Sequence, residues 1–90
     1  MTVAIVTGEF KTLEASAPVS LYQKYNMSIS GSFSAEVQLE RSFDKGLTWH
    51  VLETVTAPRQ HIGEEPETGI LYRVRCSRYS DGPVHYRLSQ

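Results

Sequence analysis

Between Tyr25 and Glu40 apolar and polar residues alternate without interruption. Tyr25, Met27, Ile29, Gly31, Phe33, Ala35, Val37 and Leu39 fall in one phase, and Asn26, Ser28, Ser30, Ser32, Ser34, Glu36, Gln38 and Glu40 in the other. A period of two sends successive side chains to opposite faces of an extended chain, so this stretch can bury one face of a sheet but not a stripe along a helix. A strand of that length is unusual, and Gly31 between serines is the place for it to bend. The pattern predicts two strands, over residues 25–30 and 35–42, with a reversal near Gly31-Ser32-Phe33.

The rest of the chain continues in the same period. Thr2 to Thr7 is rich in β-branched residues and ends at Gly8, which makes residues 1–15 an edge strand or an arm that adds to a sheet edge, in its own subunit or a neighbour. Phe10 to Ala15 reads as a short strand, and Ser16-Ala17-Pro18 is a break before Val19-Ser20-Leu21-Tyr22. Thr48 to Val55 is a strand closed by Thr56-Ala57-Pro58. Arg59 to Thr68, with Gly63, Pro66 and the acidic run Glu64-Glu65-Pro66-Glu67, is the longest irregular stretch. Ile70 to Tyr79 alternates again, with Tyr72, Val74 and Cys76 towards the core and Arg73, Arg75 and Ser77 away from it. Ser80-Asp81-Gly82-Pro83 then turns the chain into a last strand that aligns Val84, Tyr86 and Leu88 and is expected to form a hairpin with its predecessor.

Seven or eight short, evenly spaced strands with no helical window define an all-β chain. The expected fold is one small antiparallel β-sandwich over residues 1–90, immunoglobulin-like or jelly-roll-like. A chain of 90 residues buries only about 60–65% of its unfolded surface, so its core is thin and gains from neighbours. The formal net charge of −1 lacks the basic footprint of a nucleic-acid binder and the polybasic signal for an anionic membrane. Cys76 is the only cysteine, so no internal disulfide forms and a reducing compartment suits the chain. Residues 1–6 are too short an apolar run for a signal peptide or a membrane span.

The turn Ser42-Phe43-Asp44-Lys45-Gly46-Leu47-Thr48-Trp49 joins the two best-patterned strands. Asp44 can bond back to nearby N–H groups, Gly46 can take a positive φ, and Thr48 and Trp49 restart a strand. Ser42, Asp44, Gly46, Thr48 and Trp49 resemble the Asp-box, the hairpin motif of sialidase propellers. The resemblance implies a structural fastener with the tryptophan packed beneath the turn. It does not imply sialidase chemistry, since one box supplies at most one blade.

The stretch Glu65-Pro66-Glu67-Thr68-Gly69-Ile70-Leu71-Tyr72-Arg73-Val74-Arg75-Cys76 resembles the corner and following strand of fibronectin type III and related immunoglobulin-like domains. That resemblance implies that the Tyr72 hydroxyl bonds to the corner's backbone, with Val74 and Cys76 continuing the core. Taken together, LERSFDKGLTW and GILYRVRCSRYSDGPVHYRLSQ make residues 25–90 similar to small virion proteins of tailed bacteriophages and prophages. The resemblance implies a non-enzymatic structural protein that decorates or cements the capsid or forms part of a head or tail fibre. Such a protein would be made in the bacterial host cytoplasm, assemble as a trimer or dimer with other virion proteins, and use strand edges near both chain ends. The alternative is a carbohydrate- or receptor-binding sandwich module whose ligand is a host glycan.

Reactive chemistry has little to stand on. His50, His61, His85 and Cys76 show no metal-ligand spacing, and Cys76 shares the inward phase of Tyr72 and Val74, so no metal, cofactor or catalytic group is assigned. Glu64, Glu65 and Glu67 lack the alternation of a calcium loop and read as a solvated loop. Arg73, Arg75 and Arg87 are expected to form a basic stripe across adjacent strands, facing Glu36, Gln38 and Glu40 or a neighbouring subunit. Tyr79 and Tyr86 join them as interface candidates.

Overall fold

The computed structural model describes residues 4–90, so Thr2 and Val3 of the first expected strand lie outside the described residues. The described residues form eight strands: β1 Ile5–Phe10, β2 Val19–Ser20, β3 Gln23–Ser30, β4 Ser34–Ser42, β5 His50–Val55, β6 Arg59–Glu65, β7 Leu71–Asp81 and β8 Val84–Ser89. They make two antiparallel four-stranded sheets, ordered β1-β8-β3-β6 and β2-β7-β4-β5. The pairing is nested. The first strand lies on the last, β2 on β7, β3 on β6, and β4 on β5 at the centre. Contacts of β8 with β3 and of β7 with β4 complete each sheet. This is the strand order of a jelly roll, in which a long hairpin wraps on itself. An immunoglobulin sandwich would set its first two strands side by side, whereas here β1 and β2 belong to opposite sheets.

The period-two residues fill the space between the sheets. Tyr25, Met27 and Ile29 from one sheet meet Val37, Leu39, Tyr72, Val74 and Cys76 from the other, all buried, and Phe10, Leu21, Val55, Ile70, Val84 and Leu88 complete the core. Gly31, with φ of 106°, sits at the crossing from β3 to β4, where the alternating stretch divides.

Several expectations give way. The strand over Phe10–Ala15 is absent: Phe10 closes β1, and the chain then crosses to the other sheet. There Ser16 runs beside β7, its N–H donating to the Val74 carbonyl at 2.8 Å and its hydroxyl accepting from the Val74 N–H at 3.0 Å. The stretch from Arg59 is not irregular, because Arg59–Glu65 is the edge strand β6, laddered on β3. Its core-facing positions are Arg59, His61, Gly63 and Glu65, which hides the alternation from a hydrophobicity reading. Inward-pointing charges of this kind also blunt an open edge. Finally, β7 and β8 do not form a hairpin. The chain changes sheet at the cis Gly82–Pro83 peptide, and β8 enters between β1 and β3, so the carboxyl-terminal strand offers no free edge.

Candidate functional site

The Ser42–Trp49 turn is one hydrogen-bonded unit. Ser42 Oγ, fully buried, accepts from the Gly46 N–H at 2.8 Å and the Asp44 N–H at 3.4 Å, and donates to Asp44 Oδ1 at 2.7 Å. Asp44 accepts the Thr48 N–H at 2.9 Å and the Thr48 hydroxyl at 2.5 Å. Stabilised first by the Thr48 hydroxyl, then by the Thr48 N–H and Ser42, the Asp44 carboxyl is held down at about 2. Lys45 and Gly46 supply the two positive φ values, 61° and 91°. Trp49 packs against the turn at Gly46 without being fully buried. It is half-buried, its Nε1–H donating to the Gly46 carbonyl at 3.1 Å, because its ring turns to the outer face of the β4–β7 sheet under the Arg73 guanidinium, 4.3 Å from the ring centroid. The polar atoms of this turn are spent on holding its own backbone.

A second constellation lies where the edges of β5 and β6 face each other across the sandwich. Between them opens a cleft of about 410 Å³. At its base Glu65, fully buried, accepts through Oε1 from Arg41 Nε at 2.9 Å, from Arg41 Nη2, and from the Tyr72 hydroxyl at 2.8 Å. Its Oε2 accepts the Glu67 N–H at 3.0 Å. The Arg41 guanidinium also lies 4.5 Å from the centroid of the Phe43 ring, and the Tyr25 ring packs against Tyr72 with centroids 4.8 Å apart.

Electrostatics at this base run against one another. Burial pushes the Glu65 carboxyl up, but the Tyr72 hydroxyl, the Glu67 N–H and Arg41 together hold it below the usual carboxylate range. Burial raises the Tyr72 hydroxyl far above its ordinary value, with the Glu65 carboxylate and Tyr25 adding to it, and burial raises Tyr25 as well. Shifted groups gathered in a cleft mark a candidate site. The walls mix chemistries: Leu52 is exposed, Pro66 is apolar, and Glu53 holds Arg59 Nη2 at 3.0 Å and lies 3.6 Å from His61 Nδ1.

Two expectations are corrected here. Tyr72 enters the core, but its hydroxyl bonds to the Glu65 carboxylate instead of the corner's backbone, and Glu65 passes the connection on to the Glu67 N–H. Glu65 therefore belongs to the core side of β6 and not to a solvated loop. Sequence reasoning missed Arg41, whose signal was its phase: it follows Val37 and Leu39 at an inward position. Glu53, His61 and Leu52 carried no comparable mark.

The basic stripe is not formed. Arg73 and Arg75 lie on the outer face of one sheet and Arg87 on the outer face of the other, because the chain changes sheet between β7 and β8. Arg73 pairs within its sheet, Nε to Glu40 Oε1 at 2.7 Å, and Arg75 sits in register with Gln38. Val74 and Cys76 are buried. Tyr79 and Tyr86 are half-buried: Tyr86 stacks on Phe10 at 4.5 Å between centroids, and Tyr79 lies against Gly82. Among the described residues, no three His, Cys, Asp or Glu side chains are placed to hold a metal ion.

No protein-family model matches the chain, and searches of curated proteins and of solved structures find no match either.

Proposed function

We propose that the chain is a non-enzymatic structural component of a tailed-phage particle, a small jelly-roll unit that decorates or cements the capsid or forms part of a head or tail fibre. One observation carries the reading: apolar side chains concentrate on the exposed β4–β5 hairpin. Among the described residues, Phe43, Leu47, Val51 and Leu52 are four of the eight large apolar residues that stand exposed, Leu47 at 85%. The bonds from Ser42 and Asp44 fix the hairpin's shape, so these side chains are presented on a rigid support, as docking requires. The resemblance of residues 25–90 to small virion proteins supplies the context, and self-association as a dimer or trimer belongs to the same reading. A carbohydrate- or receptor-binding module is the second reading, favoured by the cleft beside Arg41 and Glu65.

The test is a protein inventory of particles induced from the strain that encodes the chain and purified on a density gradient. Peptides of the chain are expected in fixed proportion to the major capsid or tail protein. A Leu47→Glu/Val51→Glu chain that folds normally is expected to be missing from the particles. Recovery of the chain only outside the particle fractions overturns the reading.

A further inference from the structure

We propose that the cleft between β5 and β6 is a glycan site that seats one neutral hexopyranose residue, an inference that rests on the module reading and is independent of particle assembly. Its space, about 410 Å³, lies in the range of small-ligand sites. It is an open notch, which suits one ring of a longer glycan entering from the side. The walls offer what a pyranose needs: an apolar surface for its C–H face and paired acceptors and donors for neighbouring hydroxyls. Leu52 and Pro66 supply the first. Glu53 accepts, the His61 ring can do either, and Arg41, which spends Nε and Nη2 on Glu65, keeps Nη1 to donate.

Charge selects the class of sugar. Glu53, Glu64, Glu65 and Glu67 line the cleft against two guanidiniums, Arg41 at its base and Arg59 on Glu53, so negative charge stays in excess. An acidic sugar or a phosphate would meet net repulsion, whereas a hydroxyl donates well to a carboxylate. The base is also preorganised. Glu65 is held by Arg41, Tyr72 and the Glu67 N–H, and these groups stand on strands or directly after one, so a ligand need not order them.

The experiment is a ¹H–¹⁵N titration of the whole chain with the methyl glycosides of glucose, galactose, N-acetylglucosamine and rhamnose, with the methyl glycoside of galacturonic acid, its carboxylate free, and spermidine as charged probes. At least one neutral glycoside is expected to shift the amides of Leu52, Glu53, Gly63 and Glu64 saturably while leaving Thr7 and His85 in place. Glu53→Ala, on a chain whose spectrum stays dispersed, should weaken that binding about tenfold, the worth of a hydrogen bond to a charged group. Leu52→Trp, at an exposed position that folding does not depend on, should abolish it by filling the cleft. The proposal is overturned if no neutral glycoside shifts these amides, if the uronate or spermidine binds more tightly than every neutral sugar, or if binding survives both substitutions. Failure here leaves the particle inventory unchanged, and failure of that inventory leaves the titration unchanged.

Discussion

Tyr25 and Gly63 stand directly opposite each other on β3 and β6, and the phenol ring lies over the glycine where a side chain would otherwise project. The other edge of the same sheet repeats the arrangement, with Tyr86 of β8 opposite Gly8 of β1. Each edge glycine is a gap that a cross-strand tyrosine fills, so the edge strand contributes backbone while its neighbour contributes the packing.

A β-carbon at Gly63 would run into the Tyr25 ring, which is itself trapped against Tyr72. Gly→Ala at an unstrained site usually stabilises by about 0.4–1 kcal/mol. Gly63→Ala should instead destabilise, by about 1–3 kcal/mol as for other overpacked sites. Gly8→Ala should cost less, since Tyr86 is only half-buried and can swing outward. Urea unfolding of the two variants checks both the sign and the order.

Arg41 and Glu65 form an ion pair with the Glu65 side chain fully buried and 19% of the Arg41 side chain exposed. Removing one partner strands the other, so Arg41→Met and Glu65→Leu should each destabilise by about 3–5 kcal/mol. The double variant should lose far less than the sum, because no charge remains to be stranded. A double-mutant cycle from denaturant melts gives the coupling; additive losses would mean the two side chains act independently.

Acid should unfold the chain through two named groups. Asp44 sits at about 2, against an ordinary carboxyl value of about 3.9, and Glu65 is also lowered. A depressed carboxyl contributes stability that is complete above its unfolded value and disappears as the pH falls through its folded value. The melting temperature should therefore hold down to about pH 5 and drop progressively towards about pH 2. Asp44→Asn should flatten that drop, and Glu65→Gln should flatten it while lowering the melting temperature at neutral pH. Circular dichroism melts across this range measure both.

Cys76 is buried between the sheets, and burial, with the nearby Glu14 charge adding to it, raises its thiol in spite of a lowering contribution from the Arg78 backbone. Ellman's reagent at about pH 8 should label it only as fast as the fold opens, and immediately in denaturant. Rapid labelling of the native chain would mean that the β7 interior is accessible.

What the sequence makes legible is what packing alone decides. Met27, Ile29, Val37 and Leu39 announce their face because each alternates with a polar neighbour, and all four are buried. β6 escapes that reading because its inward positions are polar or glycine. They are stabilised by partners that lie far away in the chain: Glu65 by Arg41, Gly63 by Tyr25. The Gly82–Pro83 turn is visible, but a turn signal does not say which sheet the next strand joins, and the expected arginine stripe failed on that point. The cleft was illegible for the same reason, since its walls come from five strands whose order only the nested topology sets.

That nesting has a kinetic consequence. Among the nested pairs, β4 and β5 are joined by the shortest connection, and closing them shortens the loop that β3 and β6 must close, and so on outward to β1 and β8. Folding should start at the Asp44 turn and zip towards the chain ends. In stopped-flow chevrons Asp44→Ala should slow the refolding limb, whereas Val6→Ala on β1 should act on the unfolding limb. The few residues that lock one turn would then set how fast the whole molecule forms, and the strand pair holding its two ends together would set how long it lasts.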